Sequence, residues 1–267
     1  AGQLLAVRIL VDVGVGDEQG APVQHQRIER GQAGGAVAHA DDVVHMLEVV
    51  VETPDQAAQH GGGAVFAQRS GGDVQFSTFE GNVAAAGHGG AVVVQDGAST
   101  ALRNNVFRNN RTQASNAIAG GVKIFSAATS PIANNLFEGN QSVDGGGLVV
   151  QAANVSVTGN TFRNNLATRY GGGMVANQGA QVTISQNLFD QNRANVDAGA
   201  LSVQYGSGGE VTRNTFTNNR ASMANGNSGA IKVYNLSNPI ISQNVIENNE
   251  AKDGGGIYVE LLSAPLI

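Results

Sequence analysis

Three aspartates stand immediately before glycine-containing turns, in Asp144-Gly145, Asp197-Ala198-Gly199 and Asp253-Gly254. Carboxylates gathered in one place would serve either as ligands for a hard cation such as Ca²⁺ or as the acid and base of glycosidic-bond cleavage. A histidine, His88, sits between Gly87 and Gly89 in a similar setting, whereas the stacked aromatics that sugar sites use are scarce: the chain is 5% aromatic, with Tyr170, Tyr205, Tyr234 and Tyr258 scattered. Whether any of these groups act together depends on the element that carries them.

That element is a repeat. From residue 74 onward an apolar residue is followed three positions later by a polar one, usually Asn, then two later by Phe, then three later by Asn. The Phe position is held by Phe79, Phe107, Phe137, Phe162, Phe189, Phe216 and finally Ile246. The Asn that follows is Asn82, Asn110, Asn140, Asn165, Asn192, Asn219 and Asn249, and the one before is Ser77, then Asn105, Asn135, Asn160, Asn187, Asn214 and Asn244. Successive units are 28, 30, 25, 27, 27 and 30 residues apart. Each unit also carries a glycine block with alternating apolar residues, such as Gly145-Gly146-Gly147-Leu148 and Gly171-Gly172-Gly173-Met174, and an eighth block, Gly61-Gly62-Gly63-Ala64-Val65, precedes the first full unit.

Alternation over three to five residues predicts half-buried strands, and units of this length with no helical stretch cannot be helix pairs. The three-residue step from the leading apolar residue to the Asn breaks the period of two, so a corner lies there. Each unit is therefore two or three short strands joined by bends. Stacked units form parallel sheets, in a coil that buries its core only against its neighbours. The expected fold is all-β: a right-handed parallel β-helix, the hand that parallel crossovers favour, of about seven coils over residues 57–267. Phe stacks inward, Asn tolerates a left-handed bend and bonds the next Asn, and Gly permits positive φ and close approach.

F-x-x-N paired with G-G-A-[ILVY] resembles the double repeat of the polymorphic outer-membrane protein family and, more broadly, the right-handed β-helices of pectin-lyase-like folds. The resemblance covers about residues 57–267. It implies a bacterial protein that is secreted or displayed at the outer membrane, acting as a scaffold or adhesin-like binder, with a polysaccharide or a host or cell-surface macromolecule as partner. The alternative it implies is a polysaccharide lyase or glycoside hydrolase. Gly87-His88-Gly89 is similar to the triplet of polygalacturonases, but no paired Asp lies on the coil below and no Arg-x-Lys follows. Asp144, Asp197 and Asp253 fall in alternate coils, about 10 Å apart at two strand spacings, with Tyr170 and Asn227 between them. An enzyme should bring an acidic or basic cluster together on three adjacent coils. No catalytic, cofactor-binding or metal residue is assigned, and no cofactor is expected.

Other columns follow from the repeat. The residue after Phe faces outward and reads Glu80, Arg108, Glu138, Arg163, Asp190, Thr217, Glu247, a ladder of alternating charge. The outward strip beside the glycines reads Val93, Lys123, Val149, Val175, Ser202, Lys232, Tyr258, unusually apolar for a solvated face; it is covered by the N-terminal segment or by a partner. The tyrosines look scattered. The longest loops, 111–118 and 220–227, lie between the second Asn and the glycine block, which makes that face the expected binding face.

Composition limits the rest. The chain of 267 residues carries a net charge of −6 with 15 Lys+Arg, which lacks the basic footprint of a nucleic-acid binder. It has no Cys, which excludes disulfides and thiolate metal sites. No run of 18 apolar residues occurs, so no membrane-spanning helix is encoded. Gly is abundant at 37 residues without a period of three, and Pro numbers 5, which excludes collagen. Asn is absent from residues 1–81, and 27 occur from Asn82 onward. Residues 1–56 lack the repeat and form a cap, a separate segment, or a stretch never selected as protein. At the other end Ile267 falls eight residues after Val259, where another leading apolar residue is due, so the chain is expected to stop within a coil and to self-associate there.

Overall fold

The computed structural model describes residues 64–69, 71–126, 129–222 and 226–267. Residues 1–56 and the leading glycines of the eighth block lie outside the described residues. The coil that follows Gly147 shows how the repeat folds. Leu148–Gln151 enters a first sheet, Asn154–Thr158 a second, Thr161–Arg163 a third and Leu166–Tyr170 a fourth. Its neighbours do the same, so the strands stack in parallel into sheets of eight, seven, seven and six strands. The fold is the all-β parallel solenoid that the repeat implies.

The strand count per coil differs from the two or three expected. A fourth sheet runs between the second Asn and the glycines, and its strands are as short as Arg193–Ala194. Two residues are too few to show alternation, which hides the strand in the sequence.

Phe107, Phe137, Phe162, Phe189 and Phe216 are fully buried, and their rings stack with Phe79 at centroid spacings between 4.6 Å and 5.1 Å. The strand repeat sets that spacing, and it is also a favourable one for offset rings. Leu148 and Val150 of the first sheet and Val155 and Val157 of the second complete the same core.

Two asparagine ladders line the corners on either side of the Phe strand. Asn140 shows the pattern: its backbone N–H and its Nδ2 both donate to Oδ1 of Asn165, at 3.0 Å each, and Nδ2 also donates to the Phe107 carbonyl at 2.8 Å. Each buried amide thus satisfies the backbone groups that the corner takes out of the sheets. The left-handed bend belongs to the preceding residue, not to the ladder Asn: Asn109, Gly139, Asn164 and Asn218 have φ between 53° and 65°. An αL residue turns the chain, and the next side chain can then point inward.

The glycine block divides two tasks. Gly89, Gly145 and Gly171 take positive φ, but Ala119, Ala198 and Ser228 do so in other coils. The next position is glycine in every coil for another reason. A Cβ on Gly146 would strike the Gly172 carbonyl oxygen and the Leu166 backbone, so only hydrogen fits where the fourth sheet meets the first.

The outward charge ladder forms in register. Arg108 Nε donates to Glu138 at 2.9 Å, and Arg163 Nε to Asp190 at 3.3 Å. These partly exposed pairs contribute a few tenths of a kcal/mol, roughly, and favour one stacking register.

Candidate functional site

The outer face of the first sheet carries two columns of side chains. The strip expected to be apolar and covered is indeed buried: Val149 and Val175 have no exposure. They form a small cluster of their own with Ala119, against which Ile118 packs. The corner residues of the fourth-to-first connection therefore supply cover; the part of that expectation that falls on the N-terminal segment lies outside the described residues.

The register aligns a third column along the corner: His88, Ile118, Asp144, Tyr170, Asp197, Asn227, Asp253. The three aspartates do fall on alternate coils, and their surroundings differ. Asp144 is held by Arg169, whose Nε and Nη2 donate at 2.9 Å and 2.5 Å, and it accepts the Tyr170 backbone N–H at 3.2 Å. Asp197 accepts the Asn227 N–H at 2.7 Å. Asp253 is exposed. Among the described residues no three His, Asp or Glu side chains come close enough to share a metal ion.

The sequence did not reveal what faces Asp197. Lys232, on the next coil, places Nζ 2.5 Å from Asp197 Oδ2 and 2.6 Å from Glu260 Oε1 of the coil beyond. Burial lowers the Lys232 pKa, but the hydrogen bonds and charges of the two carboxylates outweigh it, and the net shift is upward. Lys232 thus stays an ammonium, with the rings of Tyr234 and Tyr258 at 5.0 Å and 5.7 Å. These are charged groups on three adjacent coils, the feature expected of an enzyme, but they are paired with one another within the cluster.

The trio forms one wall of a recess of about 180 Å³ that Tyr170, Gln204, Asn227 and Tyr234 complete. Tyr205 meets Tyr234 edge-on at 5.6 Å. All four tyrosines of the chain therefore stand on one face, on four successive coils, and the impression that they are scattered is corrected. They lie at different offsets from the glycines, on the corner and on the strand, so no single repeat position shows them. Aligning the coils and marking Tyr alone would have found the cluster. Burial pushes the Tyr170 hydroxyl upward, partly opposed by Arg169, so it remains a neutral donor.

Two carboxylates and one amine line the recess, a formal net charge of one negative unit. Amides, carboxylates and phenol hydroxyls beside aromatic rings suit a ligand rich in hydroxyls and without negative charge.

Residues 56–201 match the family model described as the right handed beta helix region. No curated protein and no solved structure gives a significant match to the chain.

Proposed function

Because the chain belongs to the right-handed β-helix family, we propose that it is a rigid scaffold that binds a neutral saccharide on the outer face of its first sheet. In this reading it is an adhesin-like module, secreted or displayed at a bacterial surface, in keeping with the resemblance of its paired repeats to polymorphic outer-membrane proteins. The observation that carries the reading is the tyrosine cluster at the Lys232 recess in a chain with 5% aromatic residues: Tyr170 and Tyr234 line it, the Tyr258 ring lies 5.7 Å from Lys232 Nζ, and Tyr205 meets Tyr234 edge-on. Tyrosine brings large contact area and a polar tip at low entropic cost, and Tyr234 and Tyr258 are carried on paired strands of the first sheet.

The test is titration of the protein with neutral and uronic-acid oligosaccharides, by calorimetry. Saturable binding of a neutral chain, weakened about tenfold or more by Tyr234→Ala, as expected from losing one aromatic contact and its stacking, supports the reading. Equal binding by Tyr234→Ala and wild type, or binding confined to acidic chains, defeats it.

The lyase or hydrolase reading is favoured by one observation, the clustering of Asp197, Lys232 and Glu260 on adjacent coils. General-base work by Lys232 needs a neutral amine, which its two carboxylates oppose. Release of reducing ends or unsaturated products from any chain that binds, abolished by Lys232→Met, would make that reading the better one.

A further inference from the structure

The Lys232 cluster has a counterpart lower in the solenoid with its negative charges removed. Lys123 and Lys232 occupy the same column of the first sheet, and each has an aromatic residue two positions on, Phe125 at 5.1 Å and Tyr234 at 5.0 Å from Nζ. One coil below, on the corner column, Asp197 faces Lys232; the residue placed that way for Lys123 is His88. One coil above, Glu260 pairs in register with Tyr234, and Gln151 pairs in register with Phe125. Both carboxylate positions around Lys123 are thus held by neutral groups.

The consequences are visible in the geometry. Lys123 is buried to 8% exposure with no ion pair or hydrogen bond to a described residue, although Lys232 at 5% has two carboxylates. Gln151 Oε1 is buried and has no hydrogen-bond partner. His88 accepts the Ile118 backbone N–H on Nδ1 at 3.1 Å, which leaves its proton on Nε2 as a donor. A buried ammonium without a counter-ion and a buried amide oxygen without a donor each cost free energy, and native structures rarely leave such groups unexplained.

We propose that the outer face at His88, Lys123 and Gln151 is a second binding site, which takes a carboxylate group carried by a ligand. The ligand carboxylate fills the place that Asp197 and Glu260 fill for Lys232. It accepts from Lys123 Nζ and His88 Nε2, and from Gln151 once that amide presents its NH₂, an exchange of O and N that leaves its shape unchanged. His88 and Gln151 are half-buried at the outer face, so the carboxylate enters from solvent beside them. Burial lowers Lys123 to about 8, and burial with the charge of Lys123 lowers His88 to about 4. Both are directions expected of a site that lacks an anion. The inference does not depend on the tyrosine recess being a saccharide site.

The test uses the whole chain and follows the His88 and Lys123 side-chain signals by NMR during titration with sodium acetate at constant ionic strength, with acetamide as the neutral control. The expected result is saturable shifts with acetate alone and a rise in the pKa of both groups. Lys123→Met should weaken acetate binding about tenfold or more, the loss of one charged hydrogen bond. Gln151→Glu should do the same while stabilising the fold, because it supplies the internal carboxylate that Glu260 supplies elsewhere; it therefore separates loss of binding from loss of folding. Glucuronate against acetyl-aspartyl amide then tells a sugar acid from an acidic peptide: whichever binds more tightly than acetate is the source, and equal affinity means that the carboxylate alone is read. Acetate shifts that do not saturate, that acetamide reproduces, or that persist unchanged in Lys123→Met or Gln151→Glu overturn the proposal.

Discussion

Lys123 and Lys232 show how far one column position can be tuned by what surrounds it. Lys232 is raised by two carboxylates in spite of its burial, whereas burial takes Lys123 down to about 8 from an ordinary 10.5. The second shift makes stability depend on pH in a definite direction. Below pH 8, Lys123 is charged in the folded and unfolded chains alike, and the folded state carries the full cost of burying the charge. Above 10.5 it is neutral in both, and the cost is gone. Lys123→Met should therefore gain stability over wild type at pH 7, and the gain should shrink as the pH rises from about 8 past 10.5, where only the difference between Met and a neutral amine is left. Paired urea unfolding curves at the two pH values measure this, and a gain that stays constant across them would show that Lys123 has an ordinary pKa. None of this was legible in the sequence. Lys123 and Lys232 were visible there as two members of one outward column, but their partners lie on the coils above and below, at other offsets in the repeat.

At the scale of the strand and corner, far more was legible, because each role recurs in every coil. The Phe and Asn columns announced their ladders through spacing alone. What spacing could not tell was which residue of a pair turns the corner: in Asn109-Asn110 and Asn164-Asn165 the first takes positive φ and the second bonds along the stack. The fourth sheet was missed for a related reason, since two-residue strands such as Val83–Ala84 carry no pattern of their own. The Phe ladder sets the largest single energy at this scale. Phe162 is fully buried and stacks on Phe137 at 4.7 Å and on Phe189 at 4.6 Å. Its backbone is tied into parallel strands on both sides, so the coils cannot close over the space left by a smaller residue. Phe162→Ala should cost about 3–5 kcal/mol, the cavity and transfer cost of a core aromatic. Urea denaturation would reveal it as a lowered midpoint, and a change under about 1 kcal/mol would mean that the ring does not fill a core site.

Across the whole molecule, a solenoid has no closed core, and each coil is buried only as well as its neighbours cover it. Coverage falls off at the coil that follows Asn238. Ile240, Val245 and Val259 are exposed there, and Leu261, Leu262, Leu266 and Ile267 beyond them are more exposed still, with Leu262 at 86%. The phase of the repeat nonetheless persists. Leu266 bridges Ile240 in parallel, and the Ile241 N–H donates to the Leu266 carbonyl at 2.7 Å, which sets Ile267 beside Ile241 as the eight-residue count requires. Ile257–Glu260 and Val245–Glu247 are the outermost strands of their sheets, each with one neighbour among the described residues. In a chain of these 267 residues, such an edge next to exposed leucines is a template for another copy of the same surface. A twofold pairing of two such faces closes on itself and stops at a dimer, whereas contact with a different surface would propagate. The 267-residue chain is therefore expected to associate in a concentration-dependent way. Leu262→Glu together with Leu266→Glu should oppose it by placing like charges on the face without touching the ladders. Multi-angle light scattering at tens of micromolar distinguishes the outcomes. A dimer that the double substitution converts to monomer locates the contact at this face, and a wild-type monomer at the same concentration would show that the exposed edge does not pair.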